Sequence, residues 1–350
     1  MVIALLDPTG KGQARRISHY GTALDAFDIT VPAVSSHCVR KPPWLHRPLD
    51  GPEQTSDLLG YETQATHRAG GRMYKVHHMP TVDMFADRYL SGDELWGDEF
   101  TQEQMEEWFA DGREASAVLT GTTPSADTYR SHGINRLHGY RMLPTGRFED
   151  ALGVGSSFGG EFLPVLDRIG RITILEPSAQ LRSKELRGVP LRYVDPSSTG
   201  DMPFSSGTFD LAVCFGSLHH IPNVTKVVRE LGRVVKPGGW IIIREPVVSM
   251  GDWRSLDRPG LTKRERGIPR HLLESAVRNA GFSIKSSVFC YMPLSQRIGD
   301  LTSRNLYGSR VGAFIDRALS ISTAWNYRYH AVKPWQKLRP SSVSIVARRR

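Results

Sequence analysis

The chain has 350 residues, of which 39% are hydrophobic, and a formal net charge of +9. That length and apolar content suffice for a sizeable core, in one large decorated domain or in two, and so place the chain among soluble globular proteins. No run approaches the roughly 20 apolar residues that span a bilayer, and the start MVIALL is broken at once by Asp7, Pro8 and Thr9, so neither a membrane anchor nor a signal peptide is expected.

Cys38, Cys214 and Cys290 are scattered without CxxC spacing. This argues against a disulfide framework and against structural zinc, and makes the reducing cytoplasm the default compartment. The charge is uneven: from Leu301 to Arg350 ten Lys and Arg face a single acid, Asp316, which accounts for the whole excess. An anionic partner and a plain solvated basic surface both explain it.

Residues 1–70 are rich in Pro, Gly, His, Ser and Thr without helical or strand periodicity, and read as an irregular segment. Asp7 to Gly12, DPTGKG, lacks phosphate-loop spacing. From Thr101 onward, an N-cap Thr, early glutamates and the spacing of Met105, Trp108 and Phe109 predict an amphipathic helix. A second helix is expected over Tyr129 to Met142, so residues 71–145 form a helical lead-in, closed by Pro144 and Gly146.

Beyond that point, short apolar strands alternate with helices, the pattern of a parallel sheet covered on both faces. Strands are predicted near Asp150 to Val154, Arg171 to Leu175, Leu191 to Val194, Phe209 to Phe215 and Trp240 to Arg244. Val224, Val227, Val228, Leu231, Val234 and Val235 share one helical face, with Pro237-Gly238-Gly239 as the stop. Two further strands, Phe282 to Cys290 and Ser341 to Ala347, bracket an insert, 292–340, too long to lack structure of its own. The core therefore spans 146–291, and residues 341–350 supply a final strand and basic tail.

The stretch ALGVGSSFGGEFLPVL, Ala151 to Leu166, runs from a strand through a small-residue turn into a helix, which lets a backbone approach a ligand. Glu176 ends the next strand, about twenty residues on, where a carboxylate accepts from ribose hydroxyls. To this point a nicotinamide enzyme fits equally well. The downstream order separates the two readings: Pro203, Phe204, Gly207, Phe209 and Asp210, then Leu218, His219 and His220, then Lys236, Pro237, Gly238 and Gly239. This resembles class I S-adenosylmethionine-dependent methyltransferases, in particular small-molecule and sugar O-methyltransferases.

The resemblance implies a Rossmann-like, doubly wound α/β sheet of seven strands, the last antiparallel, with an N-terminal helical cap and a lid-like insert before the last strand. S-adenosyl-L-methionine is the implied cofactor. Gly153, Gly155, Ser157 and Gly159 would line its methionine and ribose, Glu176 would hold the ribose, Asp195 would face the adenine with Ser198 and Asp201 as rivals, and Phe215 and Gly216 would pass beneath it. The usual acid of the first motif is Gly153 here and its middle glycine is Ser157, a loss that Ser156 and Ser157 can partly offset.

Methyl transfer to oxygen needs an aligned acceptor and often a base. The resemblance makes His220 or His219 that base and Glu245 its acidic partner, while packing competes for one of the two histidines. The acceptor would be a sugar, glycan or other small polar metabolite, anionic ones included. Asp252, Trp253, Arg254, Lys263, Arg264 and Arg266 suit such an acceptor, as do Trp325, Tyr327, Tyr329, His330 and Trp335, and a solvated loop or a small subsidiary core fits the same residues. No metal ligand set is evident, His77 and His78 lacking partners, and no nucleic-acid module is present, so no nucleic-acid partner is expected. Oligomerisation stays open, as do a nicotinamide oxidoreductase and an inactive cofactor-binding relative.

Overall fold

The computed structural model describes residues 68–69, 72–73, 88–119, 126, 129–250, 264–302 and 304–350. Nearly all of 1–70 therefore lies outside the described residues, as do Cys38, His77, His78, Asp252, Trp253, Arg254 and Lys263. A two-residue antiparallel ladder, Arg68–Ala69 against Arg72–Met73, stands by itself.

Helix α1, Gln102–Leu119, starts where Thr101 caps it: the Gln104 N–H donates to Thr101 Oγ1, and the Thr101 N–H donates to Gln104 Oε1. This reciprocal pairing satisfies two otherwise orphaned donors. Helix α2, His132–His138, is shorter than the periodicity predicts. Gly139 closes it and the chain continues as a 3-10 turn, Tyr140–Met142.

The sheet strands are β1 Phe148–Val154, β2 Ile169–Leu175, β3 Glu185–Leu186, β4 Val189–Val194, β5 Phe209–Phe215, β6 Val235–Pro246, β7 Phe282–Cys290 and β8 Ser342–Arg349. Their order is β3-β4-β2-β1-β5-β6-β8-β7. The central strands run parallel, and β8 is antiparallel to both neighbours. Eight strands stand where seven are predicted. The extra one, β3, folds back on β4 through Arg187 and Gly188, both at positive φ, as a two-residue hairpin requires.

Alternation within the strands divides the core between the two sheet faces. Leu152, Ala212, Cys214, Ile241 and Ile243 join one buried cluster, and Ala151, Leu211, Val213, Phe215 and Ile242 the other. Helix α3, Val224–Val234, buries the predicted valine and leucine face against the first cluster. It ends before Pro237: Val235 is already extended and pairs with Phe209, so Pro-Gly-Gly belongs to the start of β6. The glycine-rich turn after β1 leads not into an α-helix but into 3-10 turns, Gly160–Arg168, with Pro164 inside. Helix α4, Arg270–Asn279, precedes β7. Between β7 and β8 lie α5, Pro293–Leu301, and α6, Arg310–Thr323.

Candidate active site

Strand order reverses between β1 and β5: successive strands step outward to β2 and β4 on one side, and to β6 on the other. An open parallel sheet leaves a crevice at the carboxyl ends of its strands at such a point. Every residue singled out in the sequence for the cofactor sits at or just beyond one of those ends.

On the β1 side the chain turns sharply. Gly155 has φ +65° and its N–H donates to the Leu175 carbonyl at 2.8 Å. A Cβ there would come within 2.6 Å of Ser217 Cβ, so glycine is needed both for the dihedral and for the close approach of the β1 and β5 ends. Ser217 Oγ donates to the Val154 carbonyl at 2.7 Å, tying the two ends together. Ser157 adopts φ +45° and Gly159 φ +73°, so the turn after β1 holds further residues in the left-handed region.

Glu176, at the tip of β2, is buried. Its carboxylate accepts the Ser157 N–H at 3.2 Å and the Ser178 N–H at 3.1 Å. Burial raises its pKa, against the opposing pull of those two N–H groups. Asp195 follows β4 with an exposed side chain paired to Arg182, which also donates to the Glu176 carbonyl. Among its rivals, Asp201 is engaged by Lys226 and Thr199.

Sequence reasoning missed Glu161. It is buried five residues beyond Ser156, whose hydroxyl donates to it, beside the position where Gly153 replaces the usual acid. Burial pushes its pKa up to about 8. The signal available was a carboxylate one helical step past the turn.

Phe215 is buried under the end of β5, and Gly216, φ +69°, donates to the Arg244 carbonyl. The chain then makes a 3-10 turn, Leu218–His220, that presents the two histidines. Glu245, fully buried in β6, organises this turn. It accepts the Ser217 and Leu218 N–H groups at 2.9 Å each, and His219 Nδ1 at 2.9 Å. Burial alone would raise the Glu245 pKa, but the His219 ring and the two N–H groups together hold it below the ordinary carboxylate value. Since an ionised carboxylate only accepts, His219 Nδ1 carries the hydrogen of this bond, and Nε2 is the ring nitrogen not engaged by Glu245.

Glu245 pairs with His219 and not with His220. The His220 ring stacks on His219, centroids 3.9 Å apart, and its Nδ1 lies 3.3 Å from Glu265. Desolvation, then the neighbouring His219, lower the His220 pKa. Ligand atoms of His219, His220 and Glu265 all fall within 4.8 Å of one another. The sequence assigned no metal ligands, because Glu265 lies 45 residues from His220 and only folding unites them.

Arg266 is not an acceptor contact. It is fully buried, and its guanidinium donates to the carbonyls of Trp96, Leu218, His219, Ile221 and Pro222 while lying over the Trp108 ring. Trp108 Nε1 donates to the His220 carbonyl at 2.7 Å, so α1 also grips the histidine turn. Arg264 pairs with Glu107. Of the insert aromatics, Tyr329 is buried and donates to Gly267, and Tyr327 donates to Val247. Trp325 and Trp335 are exposed.

Residues 152–243 match the family described as a methyltransferase domain. The chain is 32% identical over 98 residues to sterol 4-C-methyltransferase strm-1 of Caenorhabditis elegans, covering 26% of this chain and 29% of that protein. It is 36% identical over 63 residues to a ubiquinone biosynthesis O-methyltransferase of Albidiferax ferrireducens, covering 18% and 25%. The chain thus spans well under half the length of either relative. A solved S-adenosylmethionine-dependent methyltransferase from Mesorhizobium loti is similar at 17% identity and a TM-score of 0.43, over 64% of this chain and all of that one.

Proposed function

We propose that this chain, whose residues 152–243 form a class I S-adenosylmethionine-dependent methyltransferase domain, transfers the sulfonium methyl of S-adenosylmethionine to a hydroxyl of a small polar metabolite, of which sugars and glycans are the favoured class. The observation that carries this reading is the His219–Glu245 pair at the carboxyl end of the switch-point strands.

In this reading Glu176 accepts from the ribose hydroxyls, Asp195 faces the adenine, and Gly153, Gly155, Ser157 and Gly159 give the methionine and ribose their close backbone contact. Phe215 and Gly216 form the floor. Those groups bind and orient; the chemistry falls to the histidine turn. His219 Nε2 takes the acceptor proton as the oxygen attacks the methyl carbon in line, the new O–C bond forms, and the old C–S bond breaks. The products are the methyl ether and S-adenosylhomocysteine. Glu245 holds the ring in the required tautomer and offsets the charge that the imidazolium gains. His220 and Glu265 flank the acceptor. The cytoplasm is the compartment we favour, with the unpaired, buried Cys214 and Cys290 in support.

S-adenosylhomocysteine release should be followed across a panel of hydroxylated acceptors, with S-adenosylmethionine binding measured by calorimetry beside a nicotinamide dinucleotide control. His219→Asn should lower turnover by about 10²- to 10⁴-fold, the usual contribution of a positioned base, with cofactor affinity nearly unchanged. Full turnover in that variant would falsify the base assignment, and dinucleotide binding in place of S-adenosylmethionine would remove the whole reading.

A further inference from the structure

The pair His220–Glu265 has a separation that suits two ligands of a shared cation. His220 Nδ1 and Glu265 Oε1 are 3.3 Å apart, at the long edge of the N–H···O range of about 2.7–3.2 Å. Around a tetrahedral zinc ion, bond lengths of about 2.0–2.2 Å place neighbouring nitrogen and oxygen ligands about 3.4 Å apart. The third group is His219, whose Nδ1 is committed to Glu245 and whose free ring nitrogen is Nε2. One ring nitrogen of each histidine and one Glu265 carboxylate oxygen lie within 4.8 Å of one another.

The surroundings match what metal-bound histidines require. A ligating imidazole is fixed through its other nitrogen, most often by a carboxylate. Glu245 does this for His219, and it is itself held by the Ser217 and Leu218 N–H groups. Arg266 and Trp108 clamp the carbonyls of the same turn, so the two rings are presented by rigid backbone. Glu265 is buried, and the His220 side chain is 43% exposed, which leaves the site a route to solvent. Two imidazoles and one carboxylate select zinc and similar transition ions over magnesium or calcium, which prefer oxygen.

We propose that His219, His220 and Glu265 form a binding site for one divalent cation of the zinc class, and that its occupancy competes with catalysis by taking the Nε2 lone pair that His219 uses as a base. The site stands on its own geometry; the competition rests on the base reading above.

The test uses the full chain, stripped with EDTA and titrated with zinc chloride by calorimetry and with cobalt chloride by visible absorption. One equivalent should bind, with the intense visible bands of low-coordinate cobalt. Glu265→Gln and His220→Ala should each weaken zinc binding by at least about tenfold, the lower bound for losing even an outer-shell partner, while S-adenosylmethionine binding, measured on the same samples, reports that the fold is intact. One bound equivalent should suppress methyl transfer in the parent chain, and the ratio of activity with and without zinc should move toward one in both variants. Absence of stoichiometric zinc, or zinc binding that survives both substitutions, overturns the site. Turnover unchanged or increased at one equivalent overturns the competition. Because the titrations need no methyl donor or acceptor, their failure leaves the base reading intact, and full zinc-free turnover in His219→Asn would remove that reading whatever the isotherms show.

Discussion

At the scale of single residues, the site depends on a few groups held where their neighbours alter their chemistry. Glu161 is the plainest case. Burial lifts its pKa from 4.5 to about 8, so between those values the folded chain holds a proton that the unfolded chain releases. Stability is then fully present below about pH 4.5, declines as pH rises toward 8, and levels off beyond. Glu161→Gln should flatten that decline, and chemical denaturation at a series of pH values between 5 and about 8.5 checks it. A slope unchanged by the substitution would show that Glu161 is ionised in the native state. Gly155 makes a different kind of demand. With φ +65° and a Ser217 Cβ 2.6 Å from any added Cβ, Gly155→Ala should cost about 1–2 kcal/mol for the left-handed backbone alone, with more from the clash, read as a lowered Tm. Glu176→Ala should raise the Kd for S-adenosylmethionine roughly ten- to hundredfold, since each hydrogen bond to a charged group is worth about 1.5–3 kcal/mol.

At the scale of elements, the 3-10 turn Leu218–His220 is too short to hold its own shape. Three parts of the chain fix it: Glu245 from β6 takes its N–H groups, Arg266 takes its carbonyls, and Trp108 from α1 takes the carbonyl of His220. Arg266→Met should therefore be costly. Each buried carbonyl left without a donor loses about 1–3 kcal/mol; Arg266 serves five, of which Leu218 and Pro222 also accept from the Ile221 and Val224 N–H groups, so destabilisation of about 3 kcal/mol or more is expected in denaturant titrations. Lysine, with a compact ammonium in place of a planar fork, should restore only part of it. A neutral Arg266→Met would show that Glu245 and Trp108 hold the turn without it.

At the scale of the whole molecule, strand alternation and helical periodicity are local properties, and they were legible. Strands β1, β2, β4, β5, β6, β7 and β8 each overlap a predicted run, and the face of α3 is the one that its valines define. Two of the misplaced boundaries fall where strand pairing overrides local preference. Val235 leaves α3 to pair with Phe209, and β3 exists only because Arg187 and Gly188 fold it against β4. The order of motifs placed Glu176, Gly216, His219 and Glu245 at strand ends, because in a parallel sheet each strand delivers its last residues to the same edge.

Which side chains meet at that edge is a question of distance in space, and there the sequence stopped short. It left His219 and His220 equal as partners for Glu245; only the register of β6 beside β5 decides for His219. It offered Arg266 to the acceptor, whereas the fold buries it under the histidine turn, and it did not show that Glu161 pairs with Ser156 or that Glu265 reaches His220. Composition and periodicity thus determined the sheet and its two-faced core, because burial pattern is written residue by residue. The pairing of charges within the crevice was decided by the tertiary structure, because contacts between β5, β6 and the segment before α4 join residues that lie far apart along the chain.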